Sequence, residues 1–547
     1  MYKLFLASIL LSAIALGQTS QGDSLAEGVQ LLKSGQSESA LLSLRRAVKD
    51  HPKSAEAHNY YGFALGHTGS MPAAIEEFHR ALAINPRYAD AFYNLGVALK
   101  VSGQYLAAIQ SFQAAIAIRP KFPEAQFELG GALKDRGEQR GAVDAFQKAI
   151  SERPDLLAAH NELGLLYAQM GATQDAVAEF RRAVAIEWNS AESHNNLGVA
   201  LDQAGDLNGA IDEFHSALIT QPKFAEALRN LAQAMRDRGD LPAAISYYRQ
   251  LIALAPNSAE AHADLGFTLK RNDRLKEALP ELTTALKLNP NLARAQFYYA
   301  ETLMQDGDFE AALPHYQQAA RLSPKDVEFR LKYGVALSRT DPARAVPILR
   351  EAAALDPNSA EALNALAATL RRLGKNDEAM LAFRQVRELS AASAKHSEAV
   401  LETNKAIELL KQGQIAPAVE ALKQALAADP KFPEANNYMG IALSAAGRLT
   451  EANQAFETAL QSGLSDPDIH FNFGIALQRQ SRWQDAAREF SAAVDLRPGN
   501  PRARCMLAGA LVRAGEKQRA DIELSHAGEM GATCDAFLRA SASPDGR

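Results

Sequence analysis

Twelve histidines and two cysteines are the side chains of this 547-residue chain best suited to metal or nucleophile chemistry, and their spacing decides whether such chemistry is present. His58, His160, His194 and His262 stand apart by multiples of 34 residues, as do His79 and His215. Recurrence of that kind belongs to a repeated fold more readily than to a ligand shell. No pair has the H-E-x-x-H spacing that puts two imidazoles and a general base on one helix face. Neither a G-x-x-x-x-G-K-S/T phosphate loop nor a G-x-S-x-G nucleophile elbow occurs. Two cysteines are too few for a four-cysteine zinc site. Neither a metal nor a cofactor is predicted.

What must position these side chains is a repeat. Prolines stand at 52, 86, 120 and 154, and again at 222, 256, 290 and 324, each step being 34 residues with Trp188 in the skipped slot. One residue is lost near Asp341, five are gained at Ala394–Glu398, and the register returns at Pro430 and Pro498. With this proline as position 32, fifteen repeats run from Gln21 to Cys534. Position 20 is always alanine (Ala40, Ala74, Ala108), position 8 is Gly or Ala (Gly28, Gly62, Gly96), and position 24 is large and apolar (Phe78, Phe112, Phe146, Tyr248). Small residues let two helices approach, and the large one fills the space between them. Glycine at position 15, as at Gly69 and Gly205, ends the first helix in the left-handed conformation. Proline at 32 stops the second, and Ser54, Ser190, Ser258 or Ser359 caps the next. Each repeat is thus a helix–turn–helix whose apolar face requires a neighbour.

The pattern N-L-G-x-A…A…F…A…P at this period resembles the tetratricopeptide repeat family. The resemblance implies an all-α, right-handed superhelical solenoid of about fifteen units, with a concave groove lined by the first helix of each. The expected organisation is a signal peptide at 1–17, repeats 1–11 at 21–393, a helical spacer at 394–398, repeats 12–15 at 399–534 and a tail at 535–547. The spacer is read as the solvated middle of one long helix, because Ser390–Glu398 has no large apolar side chain. Only 33 residues lie outside the repeats, too few for a catalytic domain of ~50 or more. No enzyme is expected.

On the same resemblance, positions 2, 5, 6, 9, 12 and 13 face the groove. Position 5 supplies Asn59, Asn161, Asn195, Asn364 and Asn437, and position 6 supplies Asn94, Asn196, Asn230 and Asn472. An asparagine amide offers donors and an acceptor to an extended peptide backbone, or equally to the next repeat. The row is similar to the asparagine ladder of O-linked N-acetylglucosamine transferases, whose catalytic domain is absent. Tyr93, Phe127, Phe267, Phe297, Tyr298 and Phe471 interleave with it, suited to apolar side chains, to sugars, or to packing. The clamp for acidic chaperone tails known in this family is not matched, since Arg229 is followed by Asp264 and then Tyr298. Cys505 and Cys534, at positions 5 and 34 of the last repeat, form either a bridge across the terminal helix pair or two buried thiols.

Lys3, the apolar run Leu4–Leu16 and the small residues Ala15 and Gly17 have the order of a secretory leader. That run is too short to span a bilayer, which takes ~20 residues. A net charge of −6 with balanced signs gives no footprint for nucleic acid. The expectation is an exported scaffold, periplasmic or extracellular, that holds a protein or peptide partner in its groove. A carbohydrate-binding accessory of polysaccharide secretion is the alternative. Neither nucleic acid nor a membrane span is expected, and weak self-association stays open.

Overall fold

The computed structural model describes residues 24–461, 466–529 and 532–534. The leader at 1–17 and the tail at 535–547 lie outside the described residues. Among the described residues there are 29 helices and no strand. They pair as the period requires: in repeat 2, Ala55–His67 packs on Met71–Ile84, and in repeat 3, Ala89–Val101 packs on Tyr105–Ile118. None is long and apolar enough to cross a membrane.

Local chemistry sets the boundaries. Ser54, Ser190, Ser258 and Ser359 each accept a hydrogen bond from the backbone N–H three residues on, satisfying one orphan donor of the helix they open. Gly205 closes the first helix of repeat 6 at φ 82°. The same turn in repeats 8 and 14 places Asp273 and Ser481 at φ 58° and 56°, where a Cβ is disfavoured. Asp273→Gly is therefore expected to raise stability by about 0.5–1 kcal/mol. Urea unfolding of the two proteins side by side checks this, and a loss of stability would mean that the hydrogen bond Asp273 Oδ1 accepts from Gln305 Nε2 at 3.1 Å outweighs the backbone strain.

Inside each repeat the small and large positions meet. A Cβ added at Gly96 would lie 2.6 Å from the Phe112 ring, and one at Gly198 would lie 2.6 Å from Phe214. Ala74, Ala108, Ala142 and Ala176 at position 20 are fully buried beside these contacts. The histidines at position 4 join three chain segments. His160 Nδ1 lies 2.7 Å from Glu179 Oε2 on the second helix, and Nε2 lies 3.0 Å from the Pro154 carbonyl that ends the preceding repeat. His58, His194 and His262 do the same with Glu77 and Pro52, Glu213 and Trp188, and Glu281 and Pro256.

The described residues divide into two compact bodies, one within 24–186 and 483–534 and one within 187–482. In the second, the insertion at 394–398 sits within a single helix, Asn376–Lys411, that is the second helix of repeat 11 and the first of repeat 12. Ser390 to Glu398 are all exposed there.

Candidate functional site

The first helices carry the polar side chains singled out by sequence, and most of these bond to one another. Asn94 Nδ2 donates to Asn59 Oδ1 at 2.9 Å, Asn230 to Asn195 at 2.9 Å and Asn472 to Asn437 at 3.3 Å. Each bond links position 6 of one repeat to position 5 of the repeat before. Asn59 donates onward to Tyr88 Oη, and Asn195 to Glu226 Oε1, both at 3.4 Å. Asn59, Asn94 and Asn195 are buried, while Asn161, Asn196, Asn230 and Asn472 are half-buried. The three bonded pairs hold adjacent repeats in register, as buried polar groups favour partners, whereas Asn161 Oδ1 is buried without a hydrogen-bond partner.

The aromatic positions divide in two. Tyr93 and Phe297 are buried: Tyr93 packs 5.2 Å from the Phe122 ring, and Phe297 stacks 4.5 Å from Phe329. Phe127 is half-buried, 5.7 Å from Phe146. All three stand at position 5; Tyr93 and Phe127 pack within their own repeats and Phe297 crosses to the next, and burial leaves Tyr93 and Phe297 no face for stacking. Phe267 and Tyr298, at positions 9 and 6, are half-buried and stack on each other at 4.3 Å.

Around that pair, the first helices of repeats 7, 8 and 9 (Ala225–Arg238, Ala259–Arg271 and Ala293–Asp306) gather charge. The Arg236 guanidinium lies 5.5 Å from the Phe267 ring centre. Arg294 Nη2 approaches Asp264 Oδ2 at 3.6 Å, Lys270 Nζ donates to Glu301 Oε2 at 3.0 Å, and Arg229 is exposed beside them. Burial raises the Asp264 carboxyl above the ordinary carboxylate range, against the pull of Arg294, Arg236 and Arg229. Stacked rings, guanidinium groups and a buried acid together suit contact with an extended peptide, with rings taking apolar side chains and guanidinium groups taking carbonyls or carboxylates.

The acidic-tail clamp does not find this cluster, because Asp264 and Tyr298 stand where the clamp needs other residues. The signal that finds it is the occurrence of Arg229, Asp264 and Arg294 at positions 5, 6 and 2 of consecutive repeats. Among the described residues, no group of three His, Cys, Asp or Glu side chains is placed to hold a metal ion. A shallow depression lined by Ser246, Arg249, Gln250 and Arg274 belongs to the second helices of repeats 7 and 8 and their approach, away from these side chains. In the last repeat Cys505 and Cys534 are joined, with Sγ atoms 2.03 Å and Cα atoms 5.2 Å apart.

Comparison with known proteins follows the same period. A family model described as tetratricopeptide repeat matches residues 25–89, 72–123, 93–156, 127–192, 195–259, 264–327, 403–467 and 471–524. A second model of that description matches residues 348–380. No curated protein matches the chain. Among solved structures, the chain is similar to YrrB, described as a TPR protein with an unusual peptide-binding site, at 20% identity over 34% of this chain and 95% of that one, with a TM-score of 0.30. It is similar to MamA from Desulfovibrio magneticus at 24% identity over 31% of this chain and 97% of that one, with a TM-score of 0.29. The Cut9–Hcn1 hetero-tetramer of the APC/C aligns at 14% identity over 89% of this chain and 96% of that one, with a TM-score of 0.35.

Proposed function

The chain belongs to the tetratricopeptide repeat family, a fold of protein–protein interaction scaffolds, and from that premise we propose that it is an exported scaffold that grips an extended protein segment on the first helices of repeats 7 to 9. The observation that carries this reading is the exposed Arg229 beside the half-buried Phe267–Tyr298 stack, polar and aromatic groups left at the surface where the asparagines are committed to one another. Several modest contacts along neighbouring repeats sum to useful affinity. Export is supported by the Cys505–Cys534 bridge, a bond that persists in oxidising compartments, and by the leader-like run Leu4–Leu16. The likeness to O-linked N-acetylglucosamine transferases rests on asparagine spacing alone. The carbohydrate reading is weakened by the burial of Tyr93 and Phe297.

The test is affinity capture from cell-envelope extract, followed by titration of the recovered protein against purified variants. Arg229→Glu and Phe267→Ala are each expected to weaken binding at least tenfold with the helical content unchanged. Equal affinity in both variants would place the partner elsewhere on the chain. Capture of polysaccharide with no protein would put the carbohydrate reading first.

A further inference from the structure

Repeat 15 (Pro501–Ala514 with Lys517–Glu529) carries arginine at position 4, where repeats 2, 5, 6 and 8 carry histidine. In those four repeats each ring has both nitrogens committed, one to the glutamate at position 23 and one to the carbonyl that ends the preceding repeat. Arg504 makes both of these contacts: Nη1 donates to Glu523 Oε2 at 2.8 Å, and Nε donates to the Pro498 carbonyl at 3.2 Å. An imidazole has two nitrogens, whereas a guanidinium has five N–H groups in a rigid fork. The surplus leaves the repeat. Arg504 Nη2 donates to Asp144 Oδ1 at 2.8 Å, across 360 residues, on the second helix of repeat 4 (Gln139–Glu152).

Other contacts surround that bond. Arg140, one turn before Asp144, donates to Asp495 Oδ1 at 2.5 Å and to Glu523 Oε1 at 2.7 Å. Glu523 is thereby shared between Arg140 and Arg504. Gly499 sits so close to repeat 5 that an added Cβ would lie 2.8 Å from Tyr167 Oη and 3.0 Å from Asp175 Oδ1. Arg504 is 0% exposed, and a guanidinium so enclosed persists only when its partners are in place. All these residues belong to the first compact body.

We infer that the Arg504–Asp144 bond is an intramolecular latch that fastens residues 483–529 onto repeats 4 and 5, built by replacing the position 4 histidine with a side chain of greater donor capacity. Its contacts are ion pairs and hydrogen bonds, so it opens without taking apart the glycine–phenylalanine packing of repeats 4 and 5. Closed, it fixes the terminal helices; open, it frees Arg140 and Asp144 for another charged partner.

The discriminating variant is Arg504→His, which supplies the staple of four other repeats and removes the donor to Asp144. Hydrogen exchange by mass spectrometry on the full chain reads the result. Exchange in Gln139–Glu152 is expected to quicken at least threefold while Ala55–Ile118 keeps its wild-type rates. Asp144→Ala, which takes away the acceptor and leaves every contact within repeat 15 intact, is expected to quicken exchange in Pro501–Glu529 to a comparable degree, since coupling is reciprocal. Should Arg504→His unfold repeat 15, the Asp144→Ala arm decides alone. Wild-type exchange on the far side of the contact in Asp144→Ala would overturn the latch.

Discussion

Phe180→Ala is expected to lower the unfolding free energy by about 3–5 kcal/mol, with the loss concentrated in repeat 5 and its neighbours. Phe180 is almost fully buried and rests on Gly164, where an added Cβ would lie 2.8 Å from the ring. Removing the ring leaves a cavity that two helices joined by a short turn close only in part. The reverse change in the same pair has a sign that depends on its partner. Gly164→Ala in the wild type is expected to cost about 1–3 kcal/mol, because the ring is held and must shift. In the Phe180→Ala background it is expected to gain about 1 kcal/mol, since alanine favours the helix over glycine and fills part of the cavity. Repeats 7 and 9 indicate that the spacing adjusts, for Ala232 there stands opposite Tyr248 and Ala300 opposite Tyr316, all of them buried. Urea unfolding of the four proteins of the cycle is the measurement. A Gly164→Ala effect of the same sign in both backgrounds would show that this contact does not set the helix separation.

The pair Gly164 and Phe180 was legible in the chain because the period assigns both residues to fixed positions, and fifteen copies average out local noise. The turns were legible for the same reason, with Asp273 and Ser481 standing where twelve other repeats have glycine. Sidedness was harder. The period places Asn94 and Tyr93 at positions 6 and 5, but whether a side chain at those positions meets a ligand or the adjoining repeat depends on what that repeat offers. Asn94 found Asn59 at 2.9 Å in the preceding repeat, and Tyr93 found Phe122 at the end of its own repeat, because these places supply partners of the right size. The 35-residue separation of Asn59 and Asn94, and of Asn195 and Asn230, accompanies such a rung but does not make one, since Asn161 and Asn196 share it and Asn161 Oδ1 is buried without a hydrogen-bond partner. The role of Arg504 was hidden more deeply, since its partner Asp144 lies outside any distance the repeat defines. Position 4 itself held a readable signal. All five histidines there, His470 included, are followed 19 residues later by glutamate: Glu77, Glu179, Glu213, Glu281 and Glu489.

That coupling leads to the second large effect. His160→Ala is expected to destabilise the chain by about 2–3 kcal/mol, whereas His160→Gln is expected to lose less than about 1.5 kcal/mol. Alanine removes the link from the first helix of repeat 5 to the Pro154 carbonyl and leaves the buried Glu179 without its partner at 2.7 Å. Arg182 still reaches Glu179 Oε1 at 2.5 Å, but its side chain is largely exposed, so the loss stays at the low end of the range for a broken buried pair. Glutamine is the informative replacement because repeat 9 already uses it. Gln296 Nε2 donates to the Pro290 carbonyl at 2.9 Å, and its Oε1 lies 2.6 Å from His315 Nδ1, with the histidine now at position 23. What position 4 requires is therefore a side chain long enough to carry two polar atoms to two fixed places, one in its own repeat and one in the repeat before. Denaturant midpoints, with hydrogen exchange over Leu157–Ile186, separate the two variants. Equal losses for alanine and glutamine would mean that the imidazole acts through its volume, and that the staple across the repeat boundary contributes nothing.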